Sequence, residues 1–166
     1  MQIREVQIED APLVSKMFQK LDTETRFMLL EPGERSTETE SHKTFIEGIL
    51  ESPNRIMLVV EIDGEIVGFA SANGGRWQRI KHSMHLVIGI AEAYWRRGIG
   101  THLMQEIEKR AKRLGIHRLD LTVMEHNQAA RRLYRKIGFQ EEGTKRDALK
   151  INGRYVNEIM MSKLLD

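Results

Sequence analysis

The sequence predicts a single mixed α/β domain spanning residues 1–166. Three observations predict it. Strand-like alternation and helix-like spacing of apolar residues interleave along the 166 residues. Asp63-Gly64 and Asn152-Gly153 each sit between β-rich runs, as two-residue hairpin turns do. No repeat and no low-complexity stretch divides the chain.

Taken in order, "IREVQI" reads as a strand. Asp10 then caps a helix carrying Leu13, Val14, Met17, Phe18 and Leu21 on one face. "LEPGERSTETE" (30–40) reads as a loop. Thr37 and Glu40 fit a capping box for a second helix, with Phe45, Ile46, Ile49 and Leu50 as its apolar face. "RIMLVVEIDGEIVGFASA" is a hairpin turning at Asp63-Gly64, and "MHLVIGIA" is a third strand of the run, with Met84, Leu86, Ile88 and Ile90 alternating. A helix follows with Ile99, Leu103, Ile107, Ala111 and Leu114 on one side, and Gly115 stops it. "HRLDLTVM" is a strand. Ala130, Leu133, Tyr134 and Ile137 belong to a short helix ended by Gly138, and the chain closes on the hairpin at Asn152-Gly153.

Composition excludes several chemistries. The chain has no cysteine, so a thiolate nucleophile, a disulfide framework and a cysteine zinc site are all ruled out. No metal site is expected. No apolar run approaches the ~20 residues of a membrane span, and "MQIREVQIED" lacks the apolar core of a signal peptide, so a cytoplasmic location is the expectation. Lys+Arg 26 against Asp+Glu 24 is too balanced to argue for nucleic acid. The basic runs "RRLYRK" and "KRAKRL" read as the wet faces of helices.

"YWRRGIGTHLM" (94–104) is the stretch that points to a ligand. A helix start presents unpaired N–H groups and the positive end of a dipole. Gly98 and Gly100 would let an anion approach the backbone, with Arg96 and Arg97 adding charge. A tight turn with two solvated arginines explains the same residues equally well. The stretch is neither a Walker A loop nor a dinucleotide fingerprint, because no Gly-Lys-Ser/Thr follows and Leu103 stands where a third glycine would be.

"HNQAARRLYRKIGF" (126–139) supplies a second motif. Together the two stretches resemble the GNAT (Gcn5-related) N-acetyltransferase family. Trp95-Arg96-Arg97-Gly98-Ile99-Gly100 is similar to that family's Gln/Arg-x-x-Gly-x-Gly/Ala loop. Asn127, Ala130, Leu133, Tyr134, Gly138 and Phe139 are similar to its Asn-x-x-Ala-x-x-Leu-Tyr…Gly-Phe pattern. The resemblance spans essentially the whole chain, with Trp95 as one departure. The "YW" pair and the tail "INGRYVNEIMM" look like the ribosomal-protein and polyamine acetyltransferase branch.

The resemblance implies a mostly antiparallel sheet flanked by helices and splayed at its central strands, with acetyl-CoA as co-substrate. It places the pyrophosphate on the backbone of Arg96, Arg97, Gly98, Ile99, Gly100 and Thr101, and adds Asn127 to the ligand-binding set. The pantetheine arm would run along Ile88, Gly89 and Ile90, with a bulge at Gly89 helping to open the slot. Tyr134 matches the tyrosine that protonates the leaving thiolate. The general base stays open among Glu31, Glu34, His85, Glu92 and water. The acceptor is a primary amine of a small molecule or a peptide N-terminus. The loop at 74–82, with Arg76, Trp77, Arg79 and Lys81, reads as a flap, a partner contact or a solvated connection. Met160, Met161, Leu164 and Leu165 suggest apolar surface for a homodimer. A non-catalytic acyl-CoA sensor is the alternative function.

Overall fold

Asp63 and Gly64 take φ values of 52° and 77°. Left-handed angles at both central residues make a type I′ turn, which suits the twist of paired strands. In the computed structural model, which describes residues 1–166, this turn joins β2 (Arg55–Ile62) to β3 (Glu65–Gly74). β1 (Gln2–Glu5) lies outside β2, and β4 (Ser83–Ile90) follows β3. Asn152 and Gly153, at 50° and 76°, make the matching turn between β6 (Gln140–Ile151) and β7 (Arg154–Leu164). β5 (Arg118–Met124) joins the two halves in a seven-stranded sheet of order β1-β2-β3-β4-β5-β7-β6.

Every neighbouring pair is antiparallel except β4 and β5, which run parallel. Their pairing covers only Ser83↔Arg118, Met84↔Leu119 and His85↔Asp120. Beyond His85 the two strands part, and the sheet opens into a slot at its centre.

Helices cover both faces. α1 (Ala11–Glu24) and α2 (Thr39–Leu50) bury Val14, Met17, Phe18, Leu21, Ile46 and Ile49 against Met57, Val59 and Phe69. α3 (Ile99–Arg113) and α4 (Gln128–Lys136) pack on the other face with Ile56, Leu58, Val60, Met84, Leu86 and Leu119. Alternation along each strand divides its residues between these two cores.

The structure corrects several local expectations. Asp10 caps no helix with its side chain. Its carboxylate instead takes two 2.8 Å bonds from Arg4 and one from the Gln7 N–H, which ties β1 to the 3-10 turn before α1. Thr37 and Glu40 form no capping box, because α2 starts at Thr39 and Glu40 pairs with Lys43. Phe45, Leu50 and Leu114 lie at the edges of their helical stripes and stay exposed, while Ile116 fills the place expected of Leu114. Met161 and Leu165 are core residues, so only Met160 and Leu164 remain as surface.

Candidate active site

The site begins with the backbone direction of β4. Ala91 donates to Val67 and Gly75 donates to Ser83. These bonds fix the antiparallel alternation with β3, so odd-numbered residues of β4 direct their N–H and C=O groups at β3. Ile88 and Ile90 therefore direct theirs the other way, into the slot where β5 has turned aside. The Ile90 carbonyl is taken there by the Trp95 indole N–H, at 2.6 Å. Trp95, the departure from the family pattern, thus holds the loop to the strand end.

Gly89 needs no bulge. The β3–β4 register runs unbroken from Gly68↔Ile90 to Gly74↔Met84. A Cβ on Gly89 would lie 2.9 Å from both Leu21 and Phe69, so close packing under α1 explains this glycine. The slot opens because the β4–β5 pairing stops, not because β4 is kinked.

After β4 comes a short 3-10 turn, Glu92–Tyr94, whose first N–H donates to Glu24 at the end of α1. Arg96 and Gly98 then adopt φ values of 60° and 76°. Gly98 takes its left-handed conformation without strain and stands at the start of α3. His102 N–H donates to the Gly98 carbonyl, but none of the six N–H groups from Arg96 to Thr101 donates to a protein acceptor. Successive N–H groups in left-handed turns at a helix start form a concavity for anions.

The side chains here do different work from the backbone. Ile99 is buried in the core. Arg97 folds onto its own loop, donating to the Ala93 carbonyl and lying 5.0 Å from the Tyr94 ring centre. A Cβ on Gly100 would come within 2.9 Å of Leu133. The start of α3 is therefore pressed against α4.

Asn127 caps α4, its Oδ1 accepting from the Ala130 N–H at 3.2 Å. Two turns on, Tyr134 is buried in the core cluster beside Phe139, against which Ile88 and Ile90 also pack. Burial alone pushes its phenol well above the ordinary tyrosine range. No protein group hydrogen-bonds its hydroxyl, so a neutral O–H donor is held on the α3–α4 side of the slot.

His85 sits on the opposite face, on the last residue pair before the strands part. Its Nδ1 is 2.7 Å from Asp120. Asp120 is held below the usual carboxylate range, first by that bond, and so remains an acceptor. The proton of a neutral ring then belongs on Nδ1, leaving the Nε2 lone pair free. The other candidate bases stand elsewhere. Glu34 accepts from the Glu31 N–H at 2.7 Å and closes its own turn, while Glu31 and Glu92 are exposed loop residues.

Three residues that the sequence left unread roof this face. Arg35 clasps the buried Asp22 at 2.7 Å and pins the loop between α1 and α2. The same loop sets Phe27 5.3 Å from His126 and brings Met28 over Gly89. Phe27 and Met28 thus lie over the α1–α2 side of the slot, with His126 beside Phe27. The structure contains no cluster of three or more His, Cys, Asp or Glu residues able to hold a metal ion.

The model of the Acetyltransferase (GNAT) family matches residues 16–139. L-amino acid N-acetyltransferase AaaT of Escherichia coli (strain K12) is 32% identical over 119 residues, covering 71% of this chain and 74% of that protein. N-alpha-acetyltransferase RimI of Mycobacterium tuberculosis (strain ATCC 25618 / H37Rv) is 33% identical over 105 residues, covering 63% of this chain and 64% of that protein. The crystal structure of a GNAT-family acetyltransferase from Streptococcus pneumoniae superposes with a TM-score of 0.95 at 32% identity, covering 99% of each chain.

Proposed function

The chain belongs to the GNAT acetyltransferase family, and from that membership we propose that it moves an acetyl group from acetyl-CoA directly to a primary amine. One observation carries the reading of the donor site. Six consecutive N–H groups without protein acceptors, Arg96 to Thr101, stand at the mouth of a slot lined by the backbone of Ile88 and Ile90. The first group suits a pyrophosphate, and the second suits the amides of a pantetheine arm lying like an added strand. Asn127 serves this site by capping α4, which carries Tyr134.

The chemistry needs no enzyme nucleophile. The amine nitrogen attacks the thioester carbonyl carbon and gives up a proton to His85 Nε2, directly or through a water. The Ile88 N–H, aimed into the slot, supports the carbonyl oxygen as it gains charge. The C–S bond breaks, and the Tyr134 hydroxyl gives its proton to the sulfur. Acid and base flank the slot from its two faces, so donor and acceptor enter from different sides. Asp120 orients the imidazole and balances the imidazolium that forms.

The acceptor approaches on the His85 side of the slot, beside Phe27 and Met28. Both relatives above are named for amine acetylation, one of amino acids and one of α-amino groups. A free amino acid and a peptide N-terminus are therefore the two acceptor classes to separate. Relatives named as acetyltransferases set aside the reading of a non-catalytic sensor. Self-association along the open edge of β6 is a further part of the proposal, with Leu164 and Met160 as its remaining apolar contribution.

A thiol-release assay with acetyl-CoA and a panel of amino acids, polyamines, aminoglycosides and N-terminal peptides tests the proposal. CoA release with one class, and acetylated product of matching mass, is the expected result. Acetyl-CoA that neither binds nor turns over would refute it.

A further inference from the structure

At the far end of β4 from the donor loop lies a second concavity, a groove of about 850 Å³. It is walled by the α2–β2 connection, the β3–β4 loop and the α3–β5 connection. Arg55, Arg76, Lys81 and His82 line it, and no carboxylate is among its fourteen lining residues. It is separated from the loop that follows β4 by the length of that strand, about 23 Å for the seven steps between its eight residues.

The charges around this groove are unneutralised. Arg55, Arg76, Arg79, Lys81 and Arg113 take part in no ion pair. The two basic runs singled out in the sequence are neutralised in part, with Arg113, Arg132 and Lys136 in no ion pair. In "KRAKRL", Lys109, Arg110 and Lys112 pair with Glu106, Glu5 and Glu108. In "RRLYRK", Arg131 and Arg135 share Glu141. The total of 26 cations and 24 anions is near even, yet the lining of this groove holds cations and no carboxylate.

The groove is also built rather than loose. Gly74 N–H donates to the Asn54 carbonyl at 2.8 Å, and Asn54 Nδ2 donates to the Gly75 carbonyl at 2.9 Å. A Cβ on Gly75 would lie 2.5 Å from the Ile80 carbonyl oxygen. That packing sets the path of the loop at Gly75. Asn73 Oδ1 accepts from Arg55 Nε at 2.8 Å and fixes the guanidinium in the groove. Beside Arg76, the Trp77 side chain is 73% exposed, a large apolar surface that contributes to neither core.

We propose that this groove binds single-stranded nucleic acid, with phosphates along Arg55, Arg76 and Lys81 and a base stacked on Trp77. A free phosphate would need only one cationic pocket. Cations on separate elements along an open groove, with an exposed tryptophan next to Arg76 in the chain, match a strand that offers phosphates and bases in turn. The inference is independent of the acetyl-transfer reading.

The test is fluorescence anisotropy with a labelled single-stranded RNA of about 10 nucleotides, in saturating CoA to fill the donor site. Binding should weaken with salt at a log–log slope of about −2, as three phosphate contacts require. The double variant R76A/K81A should weaken binding by at least about tenfold and flatten the slope. Trp77→Ala should weaken it with the slope unchanged, and acetyl transfer should be the same in all three proteins. These side chains are exposed, and melting curves confirm that the variants fold. Absence of binding, or binding indifferent to R76A/K81A, would overturn the proposal. So would inorganic tripolyphosphate competing as well as the RNA while Trp77→Ala has no effect, which would reduce the groove to a plain anion site.

Discussion

Tyr134 keeps its proton because it is buried, and burial penalises the phenolate. A phenol raised in this way is neutral throughout the physiological range, the state that the proposed role as donor to the departing sulfur needs. Tyr134→Phe keeps the packing against Phe139 and removes only the O–H. We expect kcat to fall by about 100-fold or more, with the KM for acetyl-CoA nearly unchanged. An unchanged kcat would remove Tyr134 from the mechanism. His85 is tested by pH rather than by rate alone. His85→Gln should abolish the acidic limb of the kcat/KM profile, whereas a merely structural role would lower the rate and leave the profile's shape intact. Tyr134 and Gly98 were legible in the sequence because each belongs to a short local motif. The His85–Asp120 pair was not, since its partners are 35 residues apart and meet only through the parallel pairing of β4 and β5.

At the scale of elements, the order of strands and helices was readable throughout, because alternation, helical spacing and the two Asx-Gly turns are local signals. Beyond the two hairpins, which strands neighbour each other was not. Nothing in "MHLVIGIA" or "HRLDLTVM" announces a parallel pair that separates after three residues. Trp95 shows the same limit. It reads as a lost polar side chain, yet its indole N–H joins the donor loop to the end of β4. Trp95→Phe should raise the KM for acetyl-CoA by about 3- to 10-fold, the worth of one hydrogen bond, with kcat largely retained. A lowered kcat at unchanged KM would place the contact in the chemical step instead. Gly89 makes a stability prediction. A methyl group there meets Leu21 and Phe69, so Gly89→Ala should cost about 1–3 kcal/mol by overpacking. A melting temperature equal to wild type would show that α1 moves aside freely.

Over the whole molecule, carboxylates clasp distant strands, and this sets the response to acid. Glu142 is the extra residue where the β6–β7 register shifts between Glu141 and Gly143. The shift brings it to Arg118 on β5 and Ser162 on β7, at 2.7 Å and 2.5 Å. Arg118 chiefly, then Ser162, hold its carboxyl down to about 2 from an ordinary 4.5. A depressed folded-state value means that the stabilisation is complete above 4.5 and lost as pH falls from there toward 2. Asp10 and Asp120 are shifted in the same direction by Arg4 and His85. Glu142→Gln should therefore flatten the loss of stability over that acid window while changing little near neutrality. An identical acid profile would show that solvent screens the pair completely. No helix is long and apolar enough to cross a membrane. The mass in solution at micromolar concentration decides the β6-edge dimer, and a monomer would exclude it.

The claim on which all of this rests is that the donor lies along β4 with its pyrophosphate on the loop that follows. A backbone amide NMR titration with acetyl-CoA tests it most directly. The account predicts large shifts for the N–H signals of Arg96 to Thr101, accompanied by those of Ile88 and Ile90. Shifts confined to other residues, with this loop and β4 unmoved, would contradict it.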